Sequence, residues 1–446
     1  MPESTPSFFQ RFANVRREEV PSIIAAGLFF FCVLTALQVI RPARDALGMQ
    51  RGIEEIRWLF QGTLIVTLFV NPVFSFLVSR FRRMAFIAAT YIFFSASLVV
   101  FYAILVGAPE AIGERTGQVF YVWFSVFNLF ATAVFWALMA DRFSLEQSKR
   151  FFAVIAVGGT LGAIFGPWLA GRLAEPLGTP SLLLISAGFL LAALSQAFVV
   201  AKLQPVSGSQ VAAASPGAPP SRPEGTVIGG SAWEGFRAVF QSKYLFGIAV
   251  FALLASVMAT FIYFTRLRMV EALTTDVDEQ TTIFANIDTI AQTATLVAQV
   301  LITGHLMKRL GVAITLAVLP AVALFGFVGL AVFGSLAALI AFDSSFRAAQ
   351  RGIMRPARET LFTIVSREDK YKSKAFIDTA VYRGGDSVTA WLDGVIVRAG
   401  MGFSALASVA VPLAVVGMGL GVWLGREQSR QATGSAEGEA PATAGA

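Results

Sequence analysis

Asp343, Arg347, Arg351, Arg355 and Arg358 recur at spacings of four, four, four and three positions. On an α-helix these spacings place all five side chains on one face. The stretch that carries the first three, residues 336–354, is otherwise apolar enough to cross a bilayer, where charge is costly and seldom idle. Guanidinium groups grip phosphate or carboxylate through paired hydrogen bonds, so arginines in such a path favour an anionic ligand. Asp343 can pair with Arg347 one turn on, whereas Arg351 has no acid of its own on that helix. Asp288, Gln292, Thr295 and Gln299 follow one another at i, i+4, i+7 and i+11, a polar stripe that lipid would reject. A third segment holds Asp378, Arg383 and Asp386, the last two spaced to pair at i, i+3. Asp288, Asp343, Asp378 and Asp386 are the candidates for proton coupling. The same charges also suit a structural role, as buried ion pairs tying three helices together. Packing needs fewer of them, so the group as a whole favours transport.

Other chemistries lack their residues. The one cysteine, Cys32, lies in an apolar run, and the one histidine, His305, falls in a short basic loop. A disulfide framework, a thiolate or histidine metal site, and a histidine proton relay are therefore excluded. The nucleophile, metal-protease and phosphate-loop motifs of enzymes do not occur, and no cofactor is expected. A receptor or scaffold would not need polar-lined spans in this number.

These residues must be positioned by a membrane bundle. The chain has 446 residues, 56% of them hydrophobic and 14% charged, with a mean hydropathy of +0.68, far from a soluble domain. The expected fold is all-α, with twelve transmembrane helices near 22–40, 58–79, 84–106, 119–140, 151–175, 181–203, 244–264, 282–303, 312–333, 336–354, 374–397 and 402–424. They divide as a six-helix bundle in 1–203, a Ser/Pro/Gly/Ala-rich linker in 204–232, a second bundle in 233–425, and a disordered tail in 426–446. Lys and Arg concentrate in alternate connections and at the ends, which sets both termini in the cytoplasm by the positive-inside rule. That accounts for the net charge of +7 without a nucleic-acid partner. The expected setting is a bacterial inner (plasma) membrane, with the lipid bilayer and a small anionic molecule as partners and the chain a monomer.

The halves echo each other. Ser75-Phe-Leu77-Val-Ser-Arg80 and Gly304-His-Leu306-Met-Lys-Arg309 stand at equivalent turns, and Gly158-Gly159 matches Gly384-Gly385. Ile40-Arg41-Pro-Ala-Arg44 at the end of span 1 is echoed by Phe264-Thr265-Arg266-Leu-Arg268 at the end of span 7. With twelve spans in two halves and a basic turn in each, the chain resembles the major facilitator superfamily. Span 5 adds Gly158, Gly162, Gly166-Pro167 and Gly171, similar to a glycine motif of that superfamily's antiporters. Such a face permits close helix contact, and either packing or alternating access explains it. The resemblance assigns conformational gating to Arg80, Gly162, Gly166, Pro167, Gly304 and Arg309.

Two segments are similar to the nucleotide (ATP/ADP-type) transporters of plastids and intracellular bacteria: Arg41-Pro-Ala-Arg44-Asp45, and Arg358-Glu359 followed by Lys372-Ser-Lys374-Ala-Phe-Ile-Asp378. The resemblance implies substrate contact by Arg44 and by Lys372 or Lys374. Two of that family's acids are replaced, one by the run Phe124 to Asn128 and one by Ile262-Tyr263. The candidate substrate-binding set is Arg44, Asn128, Asp288, Gln292, Asp343, Arg347, Arg351, Lys372, Lys374 and Arg383. The expected function is secondary active transport of a small organic anion, such as a nucleotide or phosphate-bearing metabolite, by alternating access. The alternative is a proton-coupled exporter of drugs or amphiphilic metabolites.

Overall fold

A computed structural model describes residues 19–203, 232–400 and 402–438; the expected linker, but for Ala232, lies outside the described residues. Each of the twelve expected spans is helical. The helices are α1 (Val20–Val39), α2 (Arg41–Met49), α3 (Ile53–Arg80), α4 (Arg83–Gly107), α5 (Glu110–Arg142), α6 (Leu145–Leu177), α7 (Ser181–Leu203) and α8 (Ala232–Gln241). There follow α9 (Lys243–Glu271), α10 (Val277–Val297), α11 (Gly304–Phe333), α12 (Leu336–Ala348), α13 (Arg355–Leu361), α14 (Arg367–Phe376), α15 (Tyr382–Arg398) and α16 (Phe403–Gly438). Among the described residues, eight helical stretches are long and apolar enough to cross a membrane, one of them running through α10 and α11.

The chain divides into two compact units, Met1–Glu224 with Val270–Thr289, and Gly225–Met269 with Ile290–Ala446. The first half of α10 thus packs in the first unit, where sequence reading had put it in the second bundle. Polar contacts hold it there: Asp278 accepts from the Thr179 backbone N–H at 2.6 Å, and the Thr179 and Thr281 hydroxyls meet at 2.9 Å.

In the first unit α1 and α6 touch backbone to backbone. A Cβ at Gly158 would lie 2.2 Å from the Gly27 carbonyl oxygen, and one at Gly162 would lie 2.4 Å from that of Phe31. Only glycine permits this approach. Around it Phe29, Phe30 and Phe135 pack as buried rings, Phe30 stacked on Phe135 at 4.1 Å. Pro42 interrupts the first span: it has no N–H to continue the α1 ladder, and the chain restarts as α2. Ser144 and Gln147 form a reciprocal capping box that starts α6.

Among the described residues the second unit carries three π-helical turns, Ala298–Thr303, Ala349–Met354 and Ile377–Val381. Each falls in one of the three charged spans singled out from the sequence, and such turns often mark functional sites. They also correct the polar stripe. Within the π turn after Val297, Gln299 is exposed while Thr303 is buried and donates to the Gly352 carbonyl at 2.7 Å. Gly311, at φ +72°, breaks α11 just after the basic turn, a conformation that favours glycine. The tail expected to be disordered from residue 426 is helical as far as Gly438. Glu427 accepts from Arg430 and Gln431, both at 2.7 Å, and these one-turn contacts extend the helix.

The glycine face generates a stability prediction. Gly158→Ala forces the α1 and α6 backbones apart and is expected to cost about 1–3 kcal/mol, read as a lower midpoint of thermal unfolding in detergent. Gly188→Ala, where nothing lies within 4 Å of the added Cβ, leaves the midpoint unchanged or raised.

Candidate functional site

Asp343, only 4% exposed, is the centre of the polar cluster in the second unit. Arg347 reaches it from the next turn of α12, Nε to Oδ1 at 3.0 Å, as its spacing predicts. From α9 comes a second guanidinium, Arg266, 1% exposed and 3.7 Å from Oδ2. Tyr263 offers that guanidinium its ring face at 5.3 Å. A charge of either sign is costly here unless paired. One carboxylate therefore has two cations beside it. Arg351, within the π turn that follows α12, donates to Gln292 Oε1 at 3.1 Å. Its partner from α10 is a neutral amide, in keeping with the lack of an acid on its own helix.

Beyond Arg351 lie two ion pairs. Arg358, 4% exposed, donates to Asp378 at 2.8 Å, and Lys374 of α14 donates to Glu359 at 2.6 Å. The two halves of the motif that resembles nucleotide transporters are thus joined by crossed ion pairs, tying α13 to α14 and the π turn after it. Lys372 and Arg383 are half-buried. Asp386, spaced to pair with Arg383, takes hydrogen bonds from Ser256 and Thr260 of α9, at 2.5 and 3.1 Å. Arg268 binds the buried carboxylate of Asp393 with two hydrogen bonds, at 2.6 and 3.0 Å.

The first unit has a smaller cluster. Arg44 donates to Asp45 at 2.9 Å and lies over Tyr121 at 4.5 Å and Phe124 at 5.2 Å. Gly117 seats it: a Cβ there would lie 2.6 Å from the Leu47 carbonyl oxygen, so α2 can lie directly on α5. Phe124 thus gives a cation a ring face. Asp288, on the half of α10 that packs in the first unit, stands 3.7 Å from Arg41. Asn128 is exposed on α5. Among the gating candidates, Gly162, Gly166 and Pro167 are on α6, with Gly166 close to Gln38 and Thr35. Arg80, Gly304 and Arg309 are exposed at helix ends and the basic turn.

Sequence reading did not place Arg266, Arg41, Asp45, Tyr121, Ser256 or Thr260 among the site residues. A signal existed for Arg266: the repeat that matches Arg41 and Arg44 with Arg266 and Arg268 marks both span ends as carriers of function. Ser256 and Thr260 gave none, since isolated hydroxyls are ordinary in membrane helices.

No curated protein matches the sequence at a significant level. Among solved structures the chain is similar to a nucleoside transporter, NupG, with TM-score 0.62 and 12% identity, covering 92% of this chain and 99% of that one. A bacterial homologue of the iron transporter ferroportin gives TM-score 0.61 at 12% identity, covering 92% and 98%. A POT family transporter in complex with 5-aminolevulinic acid gives 0.60 at 12%, covering 92% and 96%. These likenesses show the fold. The sequence profile of the Major Facilitator Superfamily matches residues 21–346, more than half of the chain. With its helical units and intramembrane charge clusters, the chain belongs to the Major Facilitator Superfamily, as a multi-pass membrane protein that works as a secondary transporter and not as an enzyme.

Proposed function

We propose that this transporter moves a small organic anion, a nucleotide or another phosphate- or carboxylate-bearing metabolite, by alternating access. The observation that carries the reading is the arginine cluster of the second unit. Arg266 and Arg347 both stand beside the carboxylate of Asp343, and one turn on Arg351 donates to the amide of Gln292. Alternating access exposes such a cluster first to one side of the membrane and then to the other. An entering anion gains charge-assisted hydrogen bonds that neutral substrates do not. The Arg44-Asp45 and Lys372 to Asp378 motifs support a phosphate-bearing substrate by resemblance. In this proposal Lys374 and Arg358, bound to Glu359 and Asp378, secure the end of α13, and Arg266, Arg347 and Arg351 bind substrate.

Purified protein in proteoliposomes is expected to take up or exchange at least one of labelled ATP, ADP, inorganic phosphate or a dicarboxylate. If none of these moves or competes, and cationic amphiphiles do, the anion reading is lost and that of an amphiphile exporter replaces it.

Arg351→Gln removes one cationic donor and leaves Gln292 able to bond its replacement. The expected result is an apparent KM for the anion raised about tenfold or more, from a charge-assisted hydrogen bond of about 1.5–3 kcal/mol. Arg430→Gln, at a side chain 78% exposed, leaves KM unchanged. An unchanged KM in Arg351→Gln assigns that arginine to packing.

A further inference from the structure

Arg51 and Arg115 stand apart from the polar clusters described above. Arg51 lies in the turn between α2 and α3, which Gly52 closes at φ +89° with its N–H on the Met49 carbonyl at 2.7 Å. Arg115 is in the second turn of α5 and, with Gln118, Val119, Val122 and Val126, follows the spacing i, i+3, i+4, i+7 and i+11 of one helix face. The neighbouring face carries Tyr121 and Phe124, which meet Arg44. The helix thus turns one side to the Arg44 cluster and another away from it.

Between α3 and α5 that second side borders a cleft of about 650 Å³. Its lining is divided. Arg51, Arg115 and Gln118 gather at the end where both helices start, and Leu59 and Val66 of α3 join the three valines of α5 along the rest. From Arg115 to Val126 the helix rises about 16 Å, close to the roughly 15 Å of one leaflet's hydrocarbon. Val119 is 60% exposed, so the cleft opens on a side that lipid covers. A second cavity, of about 450 Å³, meets the first at Val126 and continues between α4 and α5 past Phe130, Phe94 and Phe86. Its one polar side chain, Thr90, donates to the Phe86 carbonyl of its own helix at 2.7 Å. Of the two, the first alone ends in cations.

Those cations have little acid to answer them. Arg51 is 3.9 Å from Glu114 and donates to Gln118 Oε1 at 3.4 Å. Among the described residues Arg115 has no ion pair or hydrogen bond, and the buried amide nitrogen of Gln118 has no acceptor. On the topology predicted from Lys and Arg this is the outer end, where such residues are disfavoured. Orientation therefore gives no reason for them. Guanidinium forks bind phosphate, and a phosphate oxygen supplies the acceptor that the amide lacks.

We propose that the cleft between α3 and α5 binds one anionic phospholipid of the surrounding bilayer, its phosphate on Arg51, Arg115 and Gln118 and an acyl chain along Val119, Val122 and Val126. Two cations, with one acid at the limit of ion-pair distance, select a head group of net negative charge. A zwitterionic head group brings a cation of its own. The site lies wholly in the first unit and rests on membrane placement, not on an anionic substrate.

The test is native mass spectrometry of the full-length protein, delipidated in detergent and offered phosphatidylglycerol and phosphatidylcholine of identical chains. One phosphatidylglycerol is expected to be retained about tenfold or more over phosphatidylcholine. Arg51→Gln with Arg115→Gln abolishes that preference. Arg426→Gln with Arg430→Gln, the same loss of charge at exposed places on α16, keeps it. Val122→Trp fills the cleft and lowers retention with both arginines in place, and Val119→Trp, at the exposed rim, does so even if Val122→Trp fails to fold. Equal retention of the two lipids by the wild type, a preference that survives loss of Arg51 and Arg115, or full retention in the folded tryptophan variants overturns the proposal. Displacement of the lipid by glycerophosphate, the head group without chains, overturns it too and leaves a free-anion site in its place. No transport substrate enters the measurement, so failure of the anion reading is distinguishable from failure of this one.

Discussion

Within hydrocarbon every backbone amide and carbonyl must be satisfied by protein, and this constraint governs how the chain can carry polar function at all. A straight α-helix meets it by closing its own ladder, which leaves side chains as the only polar groups to offer. The second unit departs from this at three π turns, and all three lie in the spans that carry charge. Two of them touch: Thr303, at the end of one, donates to the Gly352 carbonyl within another, and a Cβ at Gly352 would lie 3.0 Å from Ala298. A carbonyl displaced from the regular ladder finds its donor on a neighbouring helix. Within the first of these turns Gln299 is exposed, and Thr303 at its end takes a buried place.

The two units use the same packing device for different ends. In the first, glycines of α6 bring backbones together and the surrounding groups are apolar rings. In the second, Gly385 brings α15 against Ser256, and the space is used by a carboxylate and two hydroxyls. Arginine is divided just as unevenly. Arg44 lies over two aromatic rings beside Asp45, whereas Arg266 and Arg347 share Asp343.

Much of the fold was legible because hydrocarbon imposes a length and a composition on each span. The Asp343–Arg347 pair was legible too, since i, i+4 spacing on one helix leaves little choice. Pairings between helices were not. Arg358 with Asp378, Lys374 with Glu359 and Asp386 with Ser256 join residues many positions apart, and nothing in local spacing selects among the acids and bases available. The tail was misread because its Ala, Ser and Gly content suggests disorder, while one-turn contacts from Glu427 continue the helix.

The sequence by itself determined that the chain is a helical membrane protein and that charges gather in three late spans. These follow from hydropathy and periodicity, which act along a single helix. Only the tertiary structure decided which cation faces which acid, that Arg266 belongs with Asp343, and that Ser256 and Thr260 meet Asp386. Those contacts depend on helix rotation and on how closely backbones approach, and both are set by glycine faces and π turns acting across helices.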